Sequence, residues 1–390
     1  MPIGIYISIP FCRSKCTFCN FASGVFSRDK MDRYVSRLEQ EIAAAESRAL
    51  SLGAAFERTV DSVYLGGGTP TTFSPEHLSR IFSAVHNTFD AERATEVTVE
   101  CAPGTLRPEI LATLRRNGTN RVSLGVQSFS DAESSAVGRL HTAQQVRNDI
   151  AHLRQSGITN INIDLIAGLP HQTAESWRDS LTQLIDTGAP HASVYILEVD
   201  EDSRLGRELI AGGSRYHAHE VPNSDLSADL YLEAVEFLNT RGLKQYEISN
   251  FAQPGFESRH NLKYWTREPY LGFGLDAHSM MPAYKPSREL ESVRWSNGDD
   301  LDDHLAGTSK SEVTQVSTAQ AQEEIMFLGL RLNRGVESRF VPAEFNGIVR
   351  ELTSEGLLER CDDRVRLTDR GRLLSNEVFE QFISLPVTTQ

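Results

Sequence analysis

With 390 residues, 39% of them hydrophobic and 24% charged, the chain has the composition of an ordinary globular protein and exceeds one average domain, so a core of at least about 200 residues plus a smaller unit is expected. A formal net charge of −14 with no basic tract argues against a nucleic-acid binder, whose affinity needs a Lys/Arg surface. No apolar run approaches the roughly 20 residues of a membrane span, no basic or Arg-rich leader precedes residue 12, and five cysteines, three of them bunched, fit a reducing compartment better than a disulfide framework; a cytoplasmic location is expected.

In chain order, short β-branched segments alternate with helical ones. Strands are expected over 3–9, 60–65, 96–100, 121–126, 160–166 and 192–197. The longest helix is expected over 28–52, where Met31, Tyr34, Leu38 and Ile42 recur at three- and four-residue spacing. Ser74-Pro75 reads as an N-cap with proline at the first helical position, and Gly157 and Gly188 as helix stops. Alternation of this kind implies parallel strands joined by right-handed crossovers. The expected fold class is α/β, a partial (β/α)6 TIM-like barrel, whose working residues lie at the carboxyl ends of the strands.

Beyond about Gly206 the pattern weakens: a helix over 226–240, an irregular stretch over 253–286 rich in Pro, Gly and aromatics, and a polar stretch over 296–311 read as a boundary. Helices followed by a hairpin turn at Asp362-Asp363 give a small winged-helix-like carboxy-terminal unit. The expected domains are 1–215, 216–310 and 311–385. From Ser311 onward nine Arg face thirteen acids, net −4, which favours docking over DNA binding.

The chemistry begins at Cys12, Cys16 and Cys19. Cysteine sulfur binds four-iron clusters, and three thiolates leave the fourth iron open. Structural zinc needs four protein ligands, and residues 20–39 hold no Cys or His. The other thiols, Cys101 and Cys361, read as core or surface residues, with Cys101 at a strand end the one placed near the cluster. The run Leu65-Gly66-Gly67-Gly68-Thr69-Pro70 after the second strand lets a ligand approach the backbone closely.

These residues, with Val99-Glu100-Cys101-Ala102-Pro103, Gly125-Val126-Gln127-Ser128-Phe129, Gly138-Arg139-Leu140-His141 and Ile163-Asp164-Leu165-Ile166-Ala167-Gly168-Leu169-Pro170, carry a resemblance. The chain resembles the radical S-adenosylmethionine (SAM) superfamily, and more narrowly the branch holding oxygen-independent coproporphyrinogen-III oxidase and its relative, the HemW-type heme chaperone. The resemblance implies a radical SAM barrel and a [4Fe-4S] cluster on Cys12, Cys16 and Cys19. In the family, SAM chelates the open iron and an electron cleaves it to a 5′-deoxyadenosyl radical, so an electron donor is implied as a partner. Tyr6 and Phe18 match residues beside the cofactor, Gly67, Gly68 and Thr69 the loop that takes the methionine end, and Glu100, Gln127, Arg139 and Asp164 the groups that hold the rest.

Two departures divide the branch. Where the oxidase has a further cysteine two residues after the third ligand, this chain has Phe21, and the oxidase's amino-terminal extension has no counterpart. His260-Asn261-Leu262-Lys263-Tyr264-Trp265 resembles a signature of the heme-chaperone branch, so His260 is expected to contact heme, with His278 as a second candidate for the iron. The implied function is a heme chaperone that passes heme to an acceptor protein; the alternative is SAM-dependent oxidative decarboxylation of coproporphyrinogen III.

Overall fold

The computed structural model describes residues 1–383; the last two residues of the expected 311–385 domain lie outside them. Six parallel strands, β1 (Ile3–Ile9), β2 (Val60–Gly67), β3 (Glu96–Cys101), β4 (Arg121–Gln127), β5 (Asn160–Ala167) and β6 (His191–Ile196), stand side by side in chain order. With that order, right-handed crossovers place every connecting helix on one face, so the sheet curls around the other. The outer face is apolar, with Ile5, Val63, Val99, Leu124, Ile163 and Val194 buried in one continuous core. The inner face carries Tyr6, Tyr64, Glu100, Arg121, Ser123, Asn162, Asp164 and Ser193 at alternate positions. This is the α/β partial barrel expected from the sequence.

The connecting helices begin at caps the sequence announces. The Ser74 side chain accepts from His77 N with Pro75 at the first helical position, and Gly157 and Gly188 follow their helices in the left-handed region at φ 87° and 64°. The helix expected over 28–52 is two, Arg28–Ala43 and Ala45–Ser51, because Ala44 leaves helical geometry at φ −89°, ψ 3°.

Residues 216–310 do not form a layer of their own. They supply β7 (Lys244–Gln245) and β8 (Asn250–Ala252) to one edge of the sheet, and β9 (Tyr270–Phe273), β10 (His278–Pro282) and β11 (Ser292–Ser296) to the other, beyond β1. A further strand, β12 (Glu312–Val316), pairs with β11 across its whole length, so the twelve-stranded sheet runs through position 311, where the polar composition marked a boundary. The chain beyond β12 has its own core around Met326, Leu330, Val349, Leu358 and Val365. It holds a three-stranded wing of β13 (Val336–Glu337), β14 (Leu358–Cys361) and β15 (Arg364–Leu367), the hairpin turning at Asp362 with φ 52°.

The short helix Arg259–Trp265 closes the barrel at the amino-terminal end of its strands. The Glu96 carboxylate accepts from Arg259 N at 3.0 Å and His260 N at 3.1 Å, anchoring the helix start with a negative charge. Lys263, 3% exposed, reaches Asp61 at 2.9 Å and Glu268 at 3.1 Å. Trp265 lies 4.2 Å beneath the Arg331 guanidinium, and Arg267 bonds Glu324 at 2.6 Å, so this helix also ties the barrel to the carboxy-terminal unit.

Candidate cofactor-binding site

The loop after β1 is held in place by backbone hydrogen bonds. Cys12 N donates to Gly24 O at 2.8 Å and Gly24 N to Pro10 O at 2.9 Å, closing the loop; Thr17 N reaches Val137 O at 3.1 Å and Leu205 N reaches Thr17 O at 2.8 Å. Cys12, Cys16 and Cys19 are free and partly exposed, and all three open into one cavity of about 510 Å³ at the carboxyl end of the barrel. Among the described residues no group of three His, Cys, Asp or Glu side chains is drawn together on a single metal-ion position; the three thiols share the cavity instead.

The structure brings Phe18, Gly67, Gly68, Thr69, Glu100, Gln127, Arg139 and Asp164 to this same cavity. Gly67 has φ 104°, and a Cβ on Gly68 would meet Cys12 Sγ at 2.9 Å and two backbone atoms, Ile9 O at 2.9 Å and Phe11 N at 3.0 Å. Neither backbone atom can move without shifting the cysteine loop. Gly68→Ala is therefore expected to fold yet retain roughly half or less of the wild-type iron after anaerobic reconstitution, the usual price of overpacking being about 1 to 3 kcal/mol; normal iron content would show that the loop yields.

Glu100 accepts from Tyr64 Oη at 2.8 Å and Gly67 N at 3.0 Å. Burial pushes its carboxyl up to about 7, with Asp164 adding to the rise and the two hydrogen bonds and Arg121 opposing it. Asp164 is likewise raised by burial, and is aimed by Asn162 Nδ2 at 2.6 Å and Ser123 Oγ at 3.1 Å. Arg139 bonds Gly125 O and lies 3.4 Å from Cys16 Sγ, while its Nε hydrogen is buried without an acceptor. Gln127 sits at φ 70° where the β4 to β5 register shifts, a bulge that ends the strand at the cavity edge. Cys101, buried with its thiol pushed up to about 12 by desolvation, lies in the wall.

Two expected residues lie elsewhere. Tyr6 sits on the inner wall of β1 but is not among the residues that line the cavity, its ring 6.1 Å from Tyr64 and 6.3 Å from His260. His260 is 1% exposed on the closing helix, its Nδ1 3.0 Å from Ser62 Oγ and its Nε2 2.8 Å from Tyr264 Oη. Both ring nitrogens are engaged inside the barrel floor, so the histidine expected to contact heme stands here on Ser62 and Tyr264. His278, by contrast, is exposed at the start of β10, 4.0 Å from Asp276. The cavity also takes Tyr64, Arg121, Ser123, Asn162, Ser193 and Tyr195, which the motifs did not single out. Their signal was polar residues at every second position of strands otherwise apolar, which marks one face of a sheet.

The donor set fits the family's cofactors: three thiols with no fourth protein ligand gathered beside them, a glycine cradle with no room for a Cβ, and buried guanidinium hydrogens lacking acceptors. Comparison with known proteins agrees. The radical SAM superfamily model matches residues 6–184 and the HemN C-terminal domain model residues 316–374. The chain is similar to proteins named heme chaperone HemW from Lactococcus lactis (34% identical, covering 98% of this chain and 97% of the relative) and Bacillus subtilis (33%, 97% and 98%). Its fold matches that of coproporphyrinogen III oxidase (HemN) from Escherichia coli at a TM-score of 0.79 with 24% identity, over 98% of this chain and 90% of that one. The chain belongs to the radical SAM superfamily, in the HemN-like branch that includes the heme chaperones named HemW.

Proposed function

We propose that the chain is a heme chaperone: it binds heme and passes it to an acceptor protein, holding a [4Fe-4S] cluster and SAM in the cavity described above. End-to-end similarity to proteins so named supports the reading, and one structural observation carries it. Around the cavity, large side chains face solvent: Phe21 is 62% exposed, Tyr195 43% and Ile196 37%, with Phe18 and Leu197 also in its wall. Apolar side chains gathered beside one cavity mark a contact surface, and aromatic faces suit a flat apolar ligand. Phe21 replaces the further cysteine of the oxidase pattern, turning a sulfur position into an aromatic face.

Within the cavity, Cys12, Cys16 and Cys19 would hold the cluster, Gly67, Gly68 and Thr69 the methionine end of SAM, and Glu100, Gln127, Arg139 and Asp164 its polar groups. The cluster and SAM, when bound, supply one-electron chemistry. Thiolate ligands need a reducing surrounding, which supports a cytoplasmic location, and no described helix is long and apolar enough to cross a membrane.

Titration of the reconstituted protein with hemin, followed at the Soret band, tests the reading. Wild type is expected to saturate, and Phe21→Ser with Tyr195→Ser to bind about tenfold more weakly, the loss of two aromatic contacts of about 0.5 to 1.5 kcal/mol each. A weak, non-saturating response of the wild type sinks the chaperone reading; an unchanged double variant removes the rim from it. The oxidase alternative, which shares the fold, is tested by anaerobic incubation with SAM, reductant and coproporphyrinogen III, where no protoporphyrinogen IX is expected.

A further inference from the structure

One buried cation in the cavity wall has no partner. Arg121 opens β4 with its side chain 1% exposed, its Nε and Nη1 hydrogens meet no acceptor, and it joins no ion pair among the described residues. A guanidinium taken out of water unpaired is expensive, so its place needs a reason. Register sets Arg121 opposite Thr98 of β3 and Asn160 of β5. Two residues further along the same face, Ser123 stands opposite Glu100 and donates to Asp164 at 3.1 Å. Arg121 therefore lies one layer beneath Glu100 and two beneath Asp164, carboxylates that share a desolvated cavity in which both are raised by burial and Asp164 adds to the rise of Glu100.

We propose that Arg121 is a positioning residue of this cavity: an internal counter-charge, held back from direct pairing, that lets Glu100 and Asp164 face the cofactor as carboxylates. The distance is the point of the arrangement. An ion pair would occupy the oxygens that an ammonium or ribose hydroxyls of SAM must reach, whereas a through-space charge leaves them free. The other cation beside the acids, Arg139, is already engaged by Gly125 O and Cys16 Sγ. The remaining groups that face the two acids are Tyr6 from β1, Tyr64 from β2 and Tyr264 from the closing helix, all held protonated by burial, and Tyr195 from β6 at the cavity mouth, so Arg121 is the positive charge among them. Its field reaches down the barrel as well, disfavouring a proton on His191 and His260.

The proposal rests on the cavity being a SAM site, and the test separates the two. SAM binding to the reconstituted full chain is measured by calorimetry from mildly acidic to mildly alkaline pH for wild type, Arg121→Met and Arg121→Lys, with cluster absorbance and thermal melting as folding controls. Without the charge both acids hold their protons to higher pH, so Arg121→Met is expected to bind about tenfold more weakly at neutral pH, the effect of one pKa unit, and to recover as pH rises. Arg121→Lys keeps the charge and is expected to stay within about threefold of wild type. A Met variant that binds like wild type at every pH, or one uniformly weaker with no recovery, overturns the counter-charge. Should the Met variant not take up its cluster, a Lys variant weakened tenfold assigns the residue's role to its shape and overturns it equally. Wild type that binds no SAM overturns the site reading itself.

Discussion

Replacing Glu100 by glutamine is expected to stabilise the cofactor-free chain in alkaline solution while removing most of its affinity for SAM. The acid's folded value of about 7 stands above its ordinary 4.5, so the folded state prefers the protonated form. That preference stabilises the fold fully below the ordinary value and is lost as pH rises through about 7, above which a charge sits in the cavity wall at a cost. Glutamine carries no charge to bury. At 1.36 kcal/mol per pKa unit, reduced because the carboxyl opens onto cavity water and because one of its two hydrogen bonds is lost, the gain is about 1 to 2 kcal/mol at mildly alkaline pH and close to zero in acid. A carboxylate hydrogen-bonding a cationic ligand contributes roughly 1.5 to 3 kcal/mol, so SAM binding should fall by about 100-fold. Urea unfolding at two pH values and calorimetry check both halves. A variant that is less stable in alkali and still binds SAM would remove Glu100 from the site. Stability gained by deleting a functional group is the common signature of a binding site that carries strain.

The parallel strands were legible because each is a short β-branched run bounded by turn residues, and their order followed from the alternation with helices. The cluster loop and the glycine cradle were legible because their chemistry depends on spacing. Four things were not. The break at Ala44 lies within Ile42-Ala43-Ala44-Ala45, residues that all tolerate a helix, so only the packing of the tertiary structure could mark it. The strand Glu312–Val316 looks like a linker because its first four residues are exposed; it belongs to the sheet through backbone pairing with β11, which leaves little trace in side-chain polarity. Arg121 passes for an ordinary surface arginine until the strand's inner face is known. His260 was drawn towards heme by its hexapeptide, but four of those residues also answer a structural need: Tyr264 and Trp265 pack with Tyr270 and Arg331, and His260 and Lys263 are buried in the barrel floor, while Asn261 lines the cavity.

His260→Ala should therefore act on the fold and leave heme binding alone. The substitution deletes a buried ring and strands Ser62 Oγ and Tyr264 Oη, its two partners; the cavity and the lost hydrogen bonds together cost about 3 kcal/mol near neutral pH. The pH dependence gives this prediction its direction. Burial, with Lys263 and Arg121 nearby, lowers the histidine to about 3 from an ordinary 6.5, so the unfolded chain takes up a proton that the folded chain refuses. Wild type thus loses stability as pH falls through the ordinary value, and the alanine variant does not share that loss. The difference between the two should shrink by about 1.4 kcal/mol for each pH unit below the ordinary value, leaving roughly 1 kcal/mol at moderately acidic pH. Urea midpoints for both proteins in neutral and acidic buffer measure it, and a gap that stays constant or widens in acid would mean that His260 is protonated in the folded state. Hemin titration of the same variant, at a temperature where it remains folded, should match wild type. A lost Soret response there would return the iron to His260 and require the barrel floor to open, whereas an unchanged one leaves His278 as the accessible imidazole of the pair and the rim of Phe21 and Tyr195 as the surface the macrocycle meets.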